Sequence, residues 1–219
     1  MHKLFLSTLA MAAFALPAYA QSHLKGLPFD LTTAGNPQAV TITDDTLILT
    51  APKGSDMFTP SDGSKAVLTA PRITFVPQGD FIFSARIDVP FAADYDGAAL
   101  VIYGDDSHWG KLLFERIDAG KSAITSSVVS PVSDNSYHVR VPANDQTVWF
   151  KIVRAGPMIL FYMSQDGEHW DILRDMAFSS PAPVTVGFMS QSPLGAPLPA
   201  RFSDVRFEAK TFKDYWQGE

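Results

Sequence analysis

The residues best placed for chemistry sit in one short run, HWGKLLFERI at positions 108–117. Alternation along a strand puts Lys111, Leu113, Glu115 and Ile117 on one side and Leu112, Phe114 and Arg116 on the other. At about 3.3 Å of rise per residue, Lys111 and Glu115 stand roughly 13 Å apart along that side. That is too far for a direct ion pair, so each needs another partner, and Arg86 or Arg154 is a candidate link between them. An ammonium donor on that face could grip sugar hydroxyls or a uronate carboxylate, while the carboxylate accepts from hydroxyl groups. Tyr103 and Trp109 could offer a ring to the apolar face of a sugar, and Asp134 and Gln191 further polar groups. These six, Tyr103, Trp109, Lys111, Glu115, Asp134 and Gln191, form the candidate ligand-binding set. Each has a plainer account beside it: Trp109 closing the sheet, Asp134 capping its own turn through the backbone.

Bond cleavage asks for more. Glycoside hydrolysis normally uses two carboxylates about 5–5.5 Å or about 6.5–9.5 Å apart across one bond. Glu115 shares its side of the run with Leu113, Ile117 and a lysine, so no residue is assigned as catalytic. The enzyme alternative takes Glu115 and Asp134 as the acid and base. His108, His138 and His169 show no metal-ligand spacing. Asp105 and Asp106 are a carboxylate pair of the kind calcium loops use, but without an EF-hand pattern they read as a solvated turn. The glycine clusters lie between strands rather than ahead of a helix, so no phosphate loop and no cofactor is expected. No nucleophile-elbow context surrounds any serine.

The elements that must position these residues are strands. Residues 99–103 and 112–117 flank the polar cluster 104–108 as a hairpin. Residues 39–43 and 46–50 form another around Asp44 and Asp45, and residues 148–154 and 158–164 a third. Residues 81–89 alternate cleanly, and 124–129, 137–141, 169–173, 184–190 and 202–207 are further strands. Residues 130–136 read as a turn and 191–195 as a loop, and the two would rim any cleft. The turn-rich segment around Asp56, Met57 and Phe58 reads as a loop folded back over a sheet. Phe83, Ile87, Leu112, Phe114, Ile152, Phe161 and Phe188 are expected on apolar faces. About a dozen short strands without a sustained helical period imply an all-β, two-sheet sandwich or barrel.

Composition narrows the function classes. The chain of 219 residues has a net charge of −6 and no cysteine. The acidic balance without a basic block argues against nucleic acid and anionic membrane surfaces. Lys3, the apolar run 4–16 and the small residues around Ala18 and Ala20 form a signal-peptide pattern, with cleavage expected after Ala20. That run falls short of the ~20 residues that span a bilayer. The expectation is therefore a leader, residues 1–20, and one monomeric domain, residues 21–219, in the periplasm or medium of a bacterium. Such a length supplies a core without disulfides.

A family resemblance adds to this. Asp56-Met57-Phe58, Tyr95-Asp96-Gly97, the run DDSHWGK at 105–111, Phe114-Glu115, SVVS at 127–130 and Ser133-Asp134 carry it, with SQDGEHW at 164–170 and QSPLG at 191–195. In order and spacing they resemble the bacterial domain-of-unknown-function family 1349. The resemblance implies a jelly-roll β-sandwich of the concanavalin A-like lectin/glucanase group. It also implies carbohydrate, because members are similar to sandwich modules attached to bacterial xylosidases. Glucanases of that group carry an E-x-D-x-E strand pattern, which is missing here. The expected function is an exported module binding a carbohydrate or glycoconjugate in a cleft on the concave sheet without catalysis. A purely structural envelope role is the remaining alternative.

Overall fold

The computed structural model describes residues 24–118, 120–141 and 145–219, and the expected leader lies outside them. Sixteen strands and no helix occur among the described residues. The first large sheet contains β1 (Thr32–Ala34), β6 (Arg72–Phe75), β15 (Thr185–Gln191), β8 (Gly97–Asp105), β9 (His108–Asp118), β10 (Lys121–Val129) and β11 (Ser133–Val141), in that spatial order. The second contains β14 (Asp171–Ala177), β13 (Met158–Ser164), β12 (Thr147–Ala155), β7 (Phe81–Asp88), β16 (Leu198–Glu208), β3 (Thr46–Ala51) and β2 (Ala39–Ile42). All pairings are antiparallel. Of the sandwich or barrel that the strand pattern implied, this is the two-sheet sandwich, in the jelly-roll form that the family resemblance implied. A separate ribbon of β4 (Met57–Phe58) and β5 (Val67–Leu68) belongs to neither sheet.

Alternation explains the core. Leu112 and Phe114 of β9, Ile124 of β10 and Phe188 of β15 point inward and meet Phe83, Ile87, Ile152 and Phe161 of the opposite sheet. All seven residues expected on apolar faces lie in this one cluster. Lys111, Leu113 and Glu115 therefore face away from the core, on the outer side of the first sheet.

That outer side is not simply solvated. Met57 of β4 and Ala70, just past β5, pack on Ala99, Val101, Trp109, Leu113, Val129 and Met189 in a second apolar cluster. The ribbon covers one end of the sheet as a flap and leaves the other end open.

Residues 130–136 differ from expectation. Only the tip turns, and Ser133 already pairs with Val129 as β11 runs antiparallel to β10, with one register shift between Ile124 and Thr125. A cluster of Ser, Asp and Asn is the usual mark of a turn. Here the neighbouring strand supplies the backbone partners, and the polar side chains are accommodated because β11 is a sheet edge. Gln191 likewise ends a strand rather than opening a loop.

Candidate functional site

A cavity of about 300 Å3 opens beside the flap, with Lys111, Leu113 and Glu115 of β9 as its floor. Thr125 and Ser127 of β10 continue that floor, since they pair with Leu113 and Lys111 and so share their face. Asn135 and Tyr137 of β11 form one wall, while Asp56, Phe58, Tyr95 and Gln191 close the other sides.

Lys111 is 2 % exposed. Its Nζ donates to the Met57 carbonyl oxygen at 2.5 Å and to Gln191 Oε1 at 3.0 Å. Gln191 in turn donates from Nε2 to the Tyr95 carbonyl oxygen at 3.1 Å. One lysine thus ties the flap, the last strand residue of β15 and the loop before β8 into a single chain of hydrogen bonds. The root of the flap is fixed independently, because Gly54 N donates to the Ser192 carbonyl oxygen at 2.8 Å and Ser192 N to that of Ser55 at 3.1 Å. Its far side is held by β11: Ser133 Oγ donates to the Thr59 carbonyl oxygen at 2.6 Å, and Asn135 Nδ2 to Ser61 Oγ at 3.1 Å.

Glu115 is 8 % exposed and accepts a hydrogen bond from Thr125 Oγ1 at 2.9 Å on Oε1. Thr125 is the one side chain hydrogen-bonded to this carboxylate among the described residues. Opposite Glu115 on β8 is Gly97. A Cβ there would come within 2.9 Å of Leu113 Cδ1 and 3.1 Å of Glu115 Cβ, so glycine leaves the room that Glu115 occupies.

Burial governs the electrostatics. It pushes the Lys111 amine below its ordinary pKa, while the negative charges of Glu115 and Asp56 pull it back up. Burial raises both Glu115 and Asp56, and the Lys111 charge opposes it in each case. No ion pair joins Lys111 to either acid among the described residues, and for Glu115 that is in keeping with the spacing along the strand.

Tyr95 adds backbone strain at the rim. Its φ of 65° lies in the left-handed region, which bulky residues rarely occupy. The structure over-determines it: Tyr95 N donates to the Arg116 carbonyl oxygen at 2.6 Å. The buried Asp96 carboxylate next to it accepts from Ala92 N, Ala93 N and Ser192 Oγ. The Tyr95 and Tyr137 side chains are 48 % and 73 % exposed, leaving two aromatic rings at the mouth.

Of the six candidate ligand residues, the fold brings together Lys111, Glu115 and Gln191. The other three lie elsewhere. Trp109 is fully buried beneath the flap, with its indole N–H lacking a hydrogen-bond partner among the described residues. Tyr103 packs at the same covered end, its hydroxyl donating to Asp106 at 2.5 Å and its ring lying 4.3 Å from the Arg72 guanidinium. Burial, helped by Asp106, pushes its pKa to about 12. Asp134 pairs with Val128, so it faces the opposite side of the sheet from Glu115 and is bound there by Arg174 of β14. Arg86 and Arg154 do not link Lys111 to Glu115: both belong to the second sheet, where Arg86 pairs with Asp88 at 2.9 Å and Arg154 donates to the Gly156 carbonyl oxygen at 3.4 Å.

Asp56, Tyr95 and Tyr137 are the members that strand patterns did not assign to the site. For the first two, the only signal was their place in the motifs 56–58 and 95–97. Ser126 Oγ and His138 Nε2 make a 2.8 Å contact beside the cavity, but Arg174 of the second sheet donates to the same hydroxyl at 3.3 Å. That pair is therefore turned toward the other sheet rather than into the opening.

The sequence pattern of the family described as Protein of unknown function (DUF1349) matches residues 34–210. The chain belongs to this family. A curated relative, "Regulation of enolase protein 1" of Saccharomyces cerevisiae, is 26 % identical over 124 residues, or 57 % of this chain and 62 % of the yeast protein. The match thus spans less than two thirds of that relative, and similarity extends beyond bacteria. Among solved structures, a functionally unknown protein from Saccharomyces cerevisiae superposes with a TM-score of 0.76 at 21 % identity, covering 83 % of this chain and 97 % of the other. The xylan beta-1,4-xylosidase from Bacillus halodurans C-125 gives a TM-score of 0.61 at 16 % identity, over 88 % of this chain and 41 % of the enzyme. At these identities the shared property is the fold, the concanavalin A-like sandwich.

Proposed function

We propose that this DUF1349 protein is an exported module that binds a carbohydrate or glycoconjugate in the cleft beside the flap without breaking a bond. The observation that carries the reading is the cleft itself. Two exposed tyrosine rings stand at the mouth of a polar floor whose Glu115 is buried yet hydrogen-bonded at one oxygen only. Sugars present an apolar face to aromatic rings and hydroxyls to fixed polar groups. The xylosidase that shares the fold is consistent with such a ligand. The leader at residues 1–20 supports delivery outside the cytoplasm, and N-terminal sequencing of the recovered protein, expected to begin at Gln21, tests that part.

A glycan panel followed by melting temperature and by release of new reducing ends tests the binding. A ligand that binds only the folded state must raise the melting temperature. The expected result is a raised melting temperature with no product, and a panel without any shift would favour a structural role. A second reading, cleavage of a sugar bond, has one observation in its favour. Glu115 does not stand alone as a carboxylate in the cleft, because Asp56 shares it and burial raises both. In that reading Asp56 takes the place that Asp134 held in the sequence argument. Released reducing ends that disappear in Glu115→Gln would establish it.

A further inference from the structure

We propose that the cleft selects an electrically neutral, hydroxyl-rich sugar residue and discriminates against uronic acids and sulfated sugars. The proposal rests on the carbohydrate reading above and narrows it to a ligand class.

The first argument is the charge of the lining. Its ionisable side chains other than the two tyrosines are two acids, Asp56 and Glu115, and one base, Lys111. An ionised ligand would add a further negative charge to a pocket already holding two carboxyl groups against a single ammonium. Such repulsion is felt more strongly in a partly dry cleft than in water.

The second argument is what the polar groups still need. Two of the three donors of Lys111 are committed within the protein, to the Met57 carbonyl and to Gln191 Oε1. Among the three charged groups, what stays open is one Lys111 N–H and several carboxylate acceptor sites. Glu115 accepts one hydrogen bond, from Thr125, on Oε1, and Asp56 accepts one, from Met57 N at 2.7 Å, on Oδ1. Asn135 directs its Nδ2 to the flap. Hydroxyl groups donate to such carboxylate acceptors. Carboxylates and sulfates only accept, and would leave these oxygens bare.

The experiment is a printed array of matched pairs probed with the intact protein. Gluco-, galacto- and manno-oligosaccharides are set beside glucuronate, galacturonate and mannuronate oligomers of the same length and linkage, with sulfated forms of the neutral members. The expected result is signal on a neutral member, with at least tenfold weaker binding of its uronate and sulfated partners in titration. Glu115→Gln should weaken the neutral ligand and also narrow the ratio between neutral and uronate, because it removes one of the repelling charges. Equal or tighter binding of a uronate or sulfated partner overturns the selectivity while leaving the carbohydrate reading standing. Absence of signal on every pair, from protein shown to be folded, overturns both.

Discussion

Replacing Lys111 by methionine removes the ammonium while nearly preserving the volume and apolar stem of the side chain. Two acceptors, the Met57 carbonyl and Gln191 Oε1, would lose their donor. Each buried acceptor left bare costs about 1–3 kcal/mol. The carboxyl groups of Glu115 and Asp56 would also lose the positive charge that opposes their burial. Breaking a buried charge network by deleting one member typically costs ~3–5 kcal/mol. In a domain of this size, that is a fall in melting temperature of about 6–20 °C.

The dependence on pH makes the test specific. Burial already holds both acids above their ordinary values, and without Lys111 they rise further. The folded state then keeps protons that the unfolded state has released, so stability declines as pH climbs from the ordinary carboxylate range through the raised values. Urea unfolding of wild type and Lys111→Met should therefore show a gap that is smaller near pH 4.5, where the bare acceptors alone contribute, and widest near pH 8. Superimposable unfolding curves at neutral pH, or a gap of equal size at both ends, would refute the reasoning.

Glu115→Gln should behave oppositely. The amide oxygen can still accept from Thr125, so melting is expected to stay within about 1 kcal/mol of wild type while glycan affinity falls, as titration calorimetry would report. Tyr95→Asn should relieve a left-handed strain worth ~1–3 kcal/mol, since asparagine tolerates that region. Its melting temperature should hold or rise as affinity drops with the lost ring, and a marked loss of stability would contradict the strain argument. Phe114→Ala removes a fully buried ring packed edge-on against Phe91 at 4.9 Å. It should cost ~3–5 kcal/mol by denaturant unfolding, and unchanged stability would mean that the inward face has been misassigned.

The sequence made the sandwich legible because alternation is a local signal. Phe83, Ile87, Leu112, Phe114, Ile152, Phe161 and Phe188 each alternate with polar or small neighbours or sit in a short apolar run, and all reach the core. The same logic placed Lys111 and Glu115 on one face and denied them a direct ion pair. It failed where distant segments decide. Trp109 lies on the same side of β9 as Lys111, and nothing within the strand distinguishes an open position from one lying under a ribbon some 50 residues earlier in the chain. Asp134 looked like a turn residue because its neighbours are turn formers, whereas β10 holds that stretch as a strand and aims Asp134 away from the cleft. Tyr95 joins the site through a positive φ fixed by Arg116, Asp96 and Gln191, contacts made only in the folded chain.

Lys111 and Glu115, four residues apart on one strand, divide the work that the sequence suggested they would share. Both hydrogen bonds that Lys111 makes among the described residues stay inside the protein and join segments far apart in the chain, so most of its donor capacity is used before any ligand arrives. Glu115 is also buried but is left with accepting capacity beyond its one bond to Thr125. Burying most of a carboxylate with a single donor inside the protein is costly, and the protein could have avoided that cost with an apolar residue on this face, as it did with Leu113 two positions earlier. The cost becomes useful when a ligand hydroxyl supplies the missing donor, because the pocket is then held in place by the lysine and completed at the glutamate. Removing the lysine should therefore disturb shape first and affinity through it. Removing the glutamate's charge should disturb affinity with the shape intact, and those two orders of loss separate a scaffold residue from a recognition residue on a single strand.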